Sequence, residues 1–364
     1  MEYYKKELEI ISKTNRLRDR KIYDNTLYDL ASNDYLGLAS KKKLLKKTYK
    51  RLKKLKYFSS KASLLVNGYS NIHKKFEKLL CKLNHFEDGI VVGSGFLGNI
   101  ALIESLVRKK DILFIDEEYH ASGILATKLV QGEVVVFKHN DTKDLETKLN
   151  QYTNYNRKII AIEGVYSMGG DIASKEFDTL ATKYNTILLV DEAHSSGVIG
   201  TNLLGWFDYH HIKPKYNHIK LGTLGKAYGS YGAYILASSH IVQFLLNRAK
   251  PIIYSTAPSL FDIALAYTNL KYINKNHKNL SKKLKKRQQI VSDILGIETN
   301  SAIVPITIGD NSKVIELQKQ LLKKGYLVGA IRQPTVKSAI LRVIIKLDIK
   351  KDSLKNILDT IFKY

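Results

Sequence analysis

One cysteine, five prolines, one tryptophan and two methionines are all that 364 residues contain of those types. The single thiol, Cys81, excludes an intrachain disulfide and any multi-cysteine metal site. It stands in Phe76-Glu77-Lys78-Leu79-Leu80-Cys81-Lys82-Leu83, a helical pattern that reads as core. So few prolines, with no low-complexity tract, argue against a long disordered segment. No stretch approaches the roughly 18 continuous apolar residues of a membrane helix. The start, Met1-Glu2-Tyr3-Tyr4-Lys5-Lys6, shows no apolar signal region, so a soluble cytoplasmic protein is expected. Acidic residues are also few: 34 Asp and Glu stand against 59 Lys and Arg, a formal net charge of +25.

A charge of that sign suits nucleic-acid binding. The lysines, however, run along the whole chain, with densities at 41–56 and 271–287, amid abundant Asn, Ile and Tyr. Two readings stand: a solvated surface set by composition, or a preference for acidic partners or phosphates.

The apolar fraction of 44% can fill a substantial core, and the length predicts about two domains. Residues 1–20 read as a helix, and 23–31 alternate like a hairpin. Helices at 71–84, from 96 and near 175–184 then alternate with strands at 89–92, 111–115, 133–137, 158–162 and 186–190. Continuous apolar runs such as Thr186-Ile187-Leu188-Leu189-Val190 suit strands buried on both faces. That predicts an α/β fold around a mostly parallel sheet. After about residue 250, long basic helices (259–295), strands at 303–307 and 340–346 and a closing helix predict a smaller α/β domain. The expected division is an N-terminal segment 1–45, a large domain 46–248 and a small domain 249–364.

Gly93-Ser94-Gly95-Phe96-Leu97-Gly98 fits G-x-G-x-x-G between a strand and a helix. It lacks the acidic residue that closes the second strand of a dinucleotide fold, though Asp111 and Asp116 flank the next strand. Amide groups at a helix N-terminus bind a phosphate whatever carries it; a bare structural turn is the other reading. Asp191-Glu192-Ala193-His194 matches a helicase-type acidic motif, but the nearest phosphate loop ends Gly225-Lys226-Ala227. It lacks the metal-binding hydroxyl and follows the acidic motif, so a nucleic-acid motor fails.

Lys226, on the glycine-rich turn Gly222-Thr223-Leu224-Gly225-Lys226, has a different use. A lysine there can form a Schiff base with pyridoxal phosphate while Asp191 keeps the pyridine nitrogen protonated. His120 follows strand 111–115, and Glu163 opens Glu163-Gly164-Val165-Tyr166-Ser167-Met168-Gly169-Gly170 at another strand end. These ends share the rim where open α/β sheets bind ligands.

With these residues assembled, the chain resembles the fold-type I pyridoxal phosphate enzymes, and within them the α-oxoamine synthases. The likeness runs from Ser32-Asn33-Asp34-Tyr35-Leu36-Gly37-Leu38 through Gly68-Tyr69-Ser70, His120-Ala121-Ser122, Asp191-Glu192-Ala193-His194 and Gly225-Lys226. It continues to Ala330-Ile331-Arg332-Gln333-Pro334-Thr335-Val336. The resemblance implies that Lys226, Asp191 and His120 are catalytic, with His120 stacked on the cofactor ring. It further implies that His194 and Ser167 address the ring hydroxyl and that Gly95, Phe96 and Thr223 hold the phosphate. Ser255 or Thr256 would reach the phosphate across a homodimer interface, Arg342 would grip the amino-acid carboxylate, and Arg18 and Thr335, with His120, would line the substrate side. The tail points to L-alanine and a pimeloyl thioester, carried by acyl carrier protein or CoA; related synthases use glycine with acetyl-CoA, or serine with a long acyl thioester. No nucleic acid, membrane or metal is expected; a non-catalytic nucleic-acid binder would rest on charge alone. Leu64, Leu65, Gly169 and Ser195 depart from the family pattern without removing a catalytic group.

Overall fold

Runs of β-branched and apolar residues become strands wherever both faces can be covered. A computed structural model describes residues 2–364. Its strands, in chain order, are β1 Tyr28–Asp29, β2 Asp88–Val92, β3 Ile112–Asp116, β4 Glu133–Phe137, β5 Lys158–Glu163, β6 Ile187–Asp191, β7 His218–Thr223, β8 Ala233–Ala237, β9 Ile303–Gly309, β10 Tyr326–Leu327, β11 Gly329–Ile331 and β12 Ala339–Ile344. Two compact units result. The larger holds residues 33–167 and 171–285; the smaller holds 2–32, 168–170 and 286–364.

In the larger unit seven strands form one sheet in the order β2-β8-β7-β6-β5-β3-β4. The strands from β7 to β4 are parallel, and β8 runs antiparallel to both of its neighbours. The sheet is therefore mostly parallel, as expected. Parallel register brings Glu163 opposite Asp191 and Asp191 opposite Leu221, so the C-terminal ends of β5, β6 and β7 share one edge. Ile159, Ala161, Leu189, Ile219, Leu221 and Ile235 are buried in the core beneath this edge. Helix Gly95–Leu106 packs tightly there: a Cβ on Gly98 would sit 2.6 Å from a methyl of Leu221. That close approach, which only glycine allows, seats the helix N-terminus against β7.

The smaller unit carries the antiparallel sheet β11-β12-β9, in which Arg342 faces Gly329 and Pro305, and the parallel pair β1 with β10. Two expectations need correction here. Residues 23–31 form no hairpin; Tyr28 pairs in parallel with Tyr326, a partner that local alternation cannot reveal. The first helix stops at Lys13. The unit boundaries also differ from the expected division, since 33–45 and 249–285 cluster with the larger unit. One reason is Asn269 on the long helix Leu260–Leu295, whose buried amide donates to the Tyr228 carbonyl at 2.6 Å. Among the described residues no helix is long and apolar enough to cross a membrane, and no cluster of His, Cys, Asp or Glu has a metal-binding arrangement. Cys81 is half-buried, and burial pushes its thiol up to about 12, which leaves it unreactive at neutral pH.

Candidate active site

Lys226 leaves the end of β7 on a turn whose hydrogen bonds close on themselves: Leu224 donates to Gly232, Ser230 to Leu224 and Gly229 to Lys226. The half-buried amine reaches His194, Nζ to Nε2 at 2.7 Å. The other ring nitrogen of His194 lies 2.5 Å from the hydroxyl of Tyr35, which is itself fully buried. A three-residue relay, Tyr35–His194–Lys226, thus joins three distant segments.

Asp191 ends β6 with 4% exposure. Its carboxylate accepts from the Asn99 amide at 2.8 Å and from the Ala193 N–H at 2.9 Å. Asn99 is held in turn by the Tyr119 hydroxyl at 2.7 Å, and it also donates to Ser122 Oγ at 2.9 Å. Ser122 lies 2.7 Å from His120 Nδ1 and donates its backbone N–H to the same atom at 3.2 Å. His120 caps the helix Ala121–Ala126, which fixes its ring beside this cluster. Burial lowers its pKa below that of an ordinary histidine; the charge of Lys226 works the same way and that of Asp191 against it. The net effect favours the neutral ring.

Glu163, opposite Asp191 in register, is nearly fully buried. Burial and then the neighbouring Asp191 charge push its carboxyl well above the usual range. One oxygen accepts from the Ser167 N–H at 3.0 Å, while Oε1 is buried without a hydrogen-bond partner among the described residues. Thr223 closes the ring of residues: its hydroxyl donates to the Gly232 carbonyl at 3.1 Å and accepts from the Gly225 N–H at 3.3 Å. A Cβ on Gly95 would lie 3.8 Å from Thr223, so the helix N-terminus and this hydroxyl stand side by side. Phe96 follows at the exposed first turn.

The larger unit therefore gathers Lys226, His194, Asp191, His120, Ser167, Gly95, Phe96 and Thr223 around the strand ends. Thr256 is not in this network; it is exposed and forms an isolated bridge with Ser63. The remaining three lie in the smaller unit. Arg18 and Thr335 line one cavity of about 680 Å³ together with Arg16, Leu17, Arg332 and Pro334. Arg342 is buried within β12. Sequence reasoning gave no role to Tyr35, Asn99, Tyr119 or Ser122. Tyr35 and Ser122 stand inside stretches that carry the resemblance, and Asn99 is marked as an amide inside the apolar helix Gly95–Leu106.

The donor set fits pyridoxal phosphate. Asp191 is a buried carboxylate whose hydrogen bonds come from neutral donors, and no ion pair reaches it among the described residues. A buried charge of this kind calls for a cationic partner, and a protonated ring nitrogen supplies one. A primary amine, a neutral imidazole and a helix N-terminus beside a hydroxyl complete the chemistry such a cofactor needs.

The chain belongs to the class I and II aminotransferase family, whose model matches residues 25–361. A serine palmitoyltransferase of Sphingomonas wittichii superposes with a TM-score of 0.88, covering 99% of this chain and 95% of that one, at 24% identity; it bears on the fold alone. Sequence identity goes further. The 8-amino-7-oxononanoate synthase of Helicobacter pylori strain J99 is 45% identical over 362 residues, 99% of this chain and 97% of that one. The Bacillus subtilis protein named 8-amino-7-oxononanoate synthase 2 is 34% identical over 84% of this chain and 79% of its own. The Francisella tularensis enzyme of the same name has a crystal structure that matches with a TM-score of 0.76 at 28% identity, covering 93% of this chain and 98% of that one. Within the wider family the chain thus falls among the 8-amino-7-oxononanoate synthases.

Proposed function

We propose that the enzyme condenses L-alanine with a pimeloyl thioester to 8-amino-7-oxononanoate, releasing CO₂ and the free thiol, a step of biotin biosynthesis. The observation that carries this reading is the Tyr35–His194–Lys226 relay beside the buried Asp191. Pyridoxal phosphate, when bound, supplies an electron sink for negative charge on the carbon next to the amine.

The residues divide the remaining work. Lys226 anchors the cofactor, then removes and returns the proton at the α-carbon of L-alanine. His194 aligns the lysine amine, and Tyr35 fixes which nitrogen of His194 faces it. Asp191, steadied by Asn99, retains the proton on the cofactor nitrogen. His120, held by Ser122, would cover the cofactor ring, and Ser167 would address its hydroxyl. Gly95 and Phe96 offer amide groups, and Thr223 a hydroxyl, to the phosphate. In the net reaction a carbon–carbon bond forms at the thioester carbonyl, the carbon–sulfur bond breaks, and the alanine carboxyl leaves as CO₂.

Three substrate-side assignments rest on the family resemblance: Arg342 for the alanine carboxylate, and Arg18 and Thr335 for the acyl group. The cavity in the smaller unit supports the last two. Its apolar lining with Arg16, Arg18 and Arg332 suits an acyl chain that ends in a carboxylate. We also propose a homodimer to which Thr256 contributes across the interface. Exposed Tyr57, Phe58, Leu65, Val66 and Tyr254 in the larger unit support an apolar contact of this kind. The test is a matrix of L-alanine, glycine and L-serine against pimeloyl, acetyl and palmitoyl thioesters, with products identified by mass. The alanine–pimeloyl pair is expected to turn over fastest; a higher kcat/KM for either other natural pair overturns the reading.

A further inference from the structure

Lys47, Lys50, Arg51, Lys53, Lys54 and Lys75 line a single cavity of about 730 Å³ in the larger unit, and no acidic side chain lines it. None of these six has a salt bridge to Asp or Glu among the described residues. Lys47, Lys50 and Arg51 stand at i, i+3 and i+4 on helix Lys42–Leu52 and so share one face. Lys75 comes from a second helix, Asn71–Asn84, whose first turn carries no acid and whose leading residues Asn71 and Ile72 also border the cavity. That helix start, where Ser70 already caps the His73 amide, adds the positive end of a dipole.

Ordinary surface chemistry accounts for part of this. Lys50 and Arg51 occupy the last turn of their helix, where cations offset the negative end of its dipole. It does not account for Lys47, Lys53, Lys54 and Lys75 converging on the same space without a counter-charge. Nor does it account for Arg51, whose guanidinium lies 4.6 Å over the Tyr267 ring while its Nε is buried with no hydrogen-bond partner among the described residues. Stacking fixes the guanidinium plane, as at sites that receive a planar or tetrahedral anion. The volume falls in the range of about 300–1,000 Å³ typical of small-ligand sites.

We propose that this cavity binds a small molecule bearing two or more phosphate groups. Two sources share that chemistry: the phosphates of a CoA thioester donor, which rests on the function proposed above, and a free nucleotide, which does not.

Calorimetric titration of the holoenzyme with inorganic pyrophosphate, CoA and ATP tests the site, using wild type and the double variant K50E/K54E. Pyrophosphate is expected to bind wild type, more weakly as salt rises, and at least tenfold more weakly to the variant. A melting temperature unchanged in the variant shows that the loss is local; if the variant unfolds, K50Q/K54Q replaces it. Turnover is measured with pimeloyl-CoA and with a pimeloyl thioester of N-acetylcysteamine, which carries no phosphate. A raised KM for the CoA donor alone identifies CoA as the ligand. Unchanged KM for both donors, with ATP binding lost, identifies a free nucleotide. Absent turnover with every donor defeats the functional proposal and leaves the pyrophosphate result to judge the site. Equal pyrophosphate affinity in wild type and variant, no binding at millimolar concentration, or capture of an acidic peptide in preference to pyrophosphate overturns the inference.

Discussion

The hydroxyl of Tyr35 and Nδ1 of His194 lie 2.5 Å apart, although 159 residues separate them in the chain. Since the opposite nitrogen of His194 faces Lys226 at 2.7 Å, the tyrosine decides what the lysine meets. Tyr35→Phe removes the contact and keeps the ring. The expected result is a kcat about tenfold lower with KM for L-alanine little changed, the worth of one oriented hydrogen bond. A wild-type kcat in the Phe variant ends the idea of a relay.

Lys226→Ala is the severer change. It deletes the amine and leaves His194 and Tyr35 in place, so the fold is expected to melt normally. Turnover is expected to vanish, together with the visible absorbance of lysine-bound cofactor and its sensitivity to borohydride. An active Lys226→Ala protein would falsify the assignment.

Asn99 serves Asp191 from within an apolar helix. Asn99→Leu removes one of the two donors to a buried carboxylate, at a cost of about 1–3 kcal/mol. Weaker cofactor retention is expected, read as about a tenfold rise in the Kd of pyridoxal phosphate by absorbance titration. Ser122 also loses a donor, so Ser122→Ala is the control; it leaves Asp191 untouched and is expected to change Kd less.

Much of this site was legible because its residues close short strand motifs. Asp191, His194, Lys226, His120 and Glu163 each follow or end a strand, and parallel register brings strand ends together. Tyr35 and Asn99 carry no such local mark; their partners are set by tertiary packing. The strand β7 was missed for a related reason. β7 contains Lys220, a residue that argues against a buried strand unless its distant counter-charge, Glu192, is known. Likewise β1 shows strand-like alternation, yet only the fold supplies Tyr326 as its partner.

His139 offers a pH test. It bridges Asp116 at 3.1 Å and Asp171 at 3.1 Å, and its ring meets Tyr166 edge-on at 4.3 Å. Burial opposes its charge, but hydrogen bonds to the two aspartates outweigh it and hold the pKa up to about 10, against 6.5 for a free histidine. A raised pKa means that the folded state binds the proton more tightly. The contribution is therefore full below about pH 6.5 and disappears as pH climbs through about 10. The urea midpoint of wild type is expected to fall across that interval more than that of His139→Gln. Parallel curves for the two proteins would exclude the clamp.

Behind the site, Lys220 and Glu192 form a buried pair at 3.3 Å with 1% and 0% side-chain exposure. Glu192 also accepts from Ser195 Oγ at 2.5 Å and the Trp206 N–H at 2.5 Å, and thereby fixes the turn that carries His194. The space is already full: a Cβ on Gly205, whose φ is +101°, would lie 1.6 Å from Glu192 Oε2. Lys220→Met strands a buried carboxylate, for which about 3–5 kcal/mol of destabilisation is expected. Adding Glu192→Gln removes the stranded charge while retaining an acceptor for Ser195 and Trp206. The double variant is expected to melt above Lys220→Met alone, although it has lost more of the native pair. A double variant less stable than the single one would mean that burial of the unpaired charge is not the cost, and the argument would fail there.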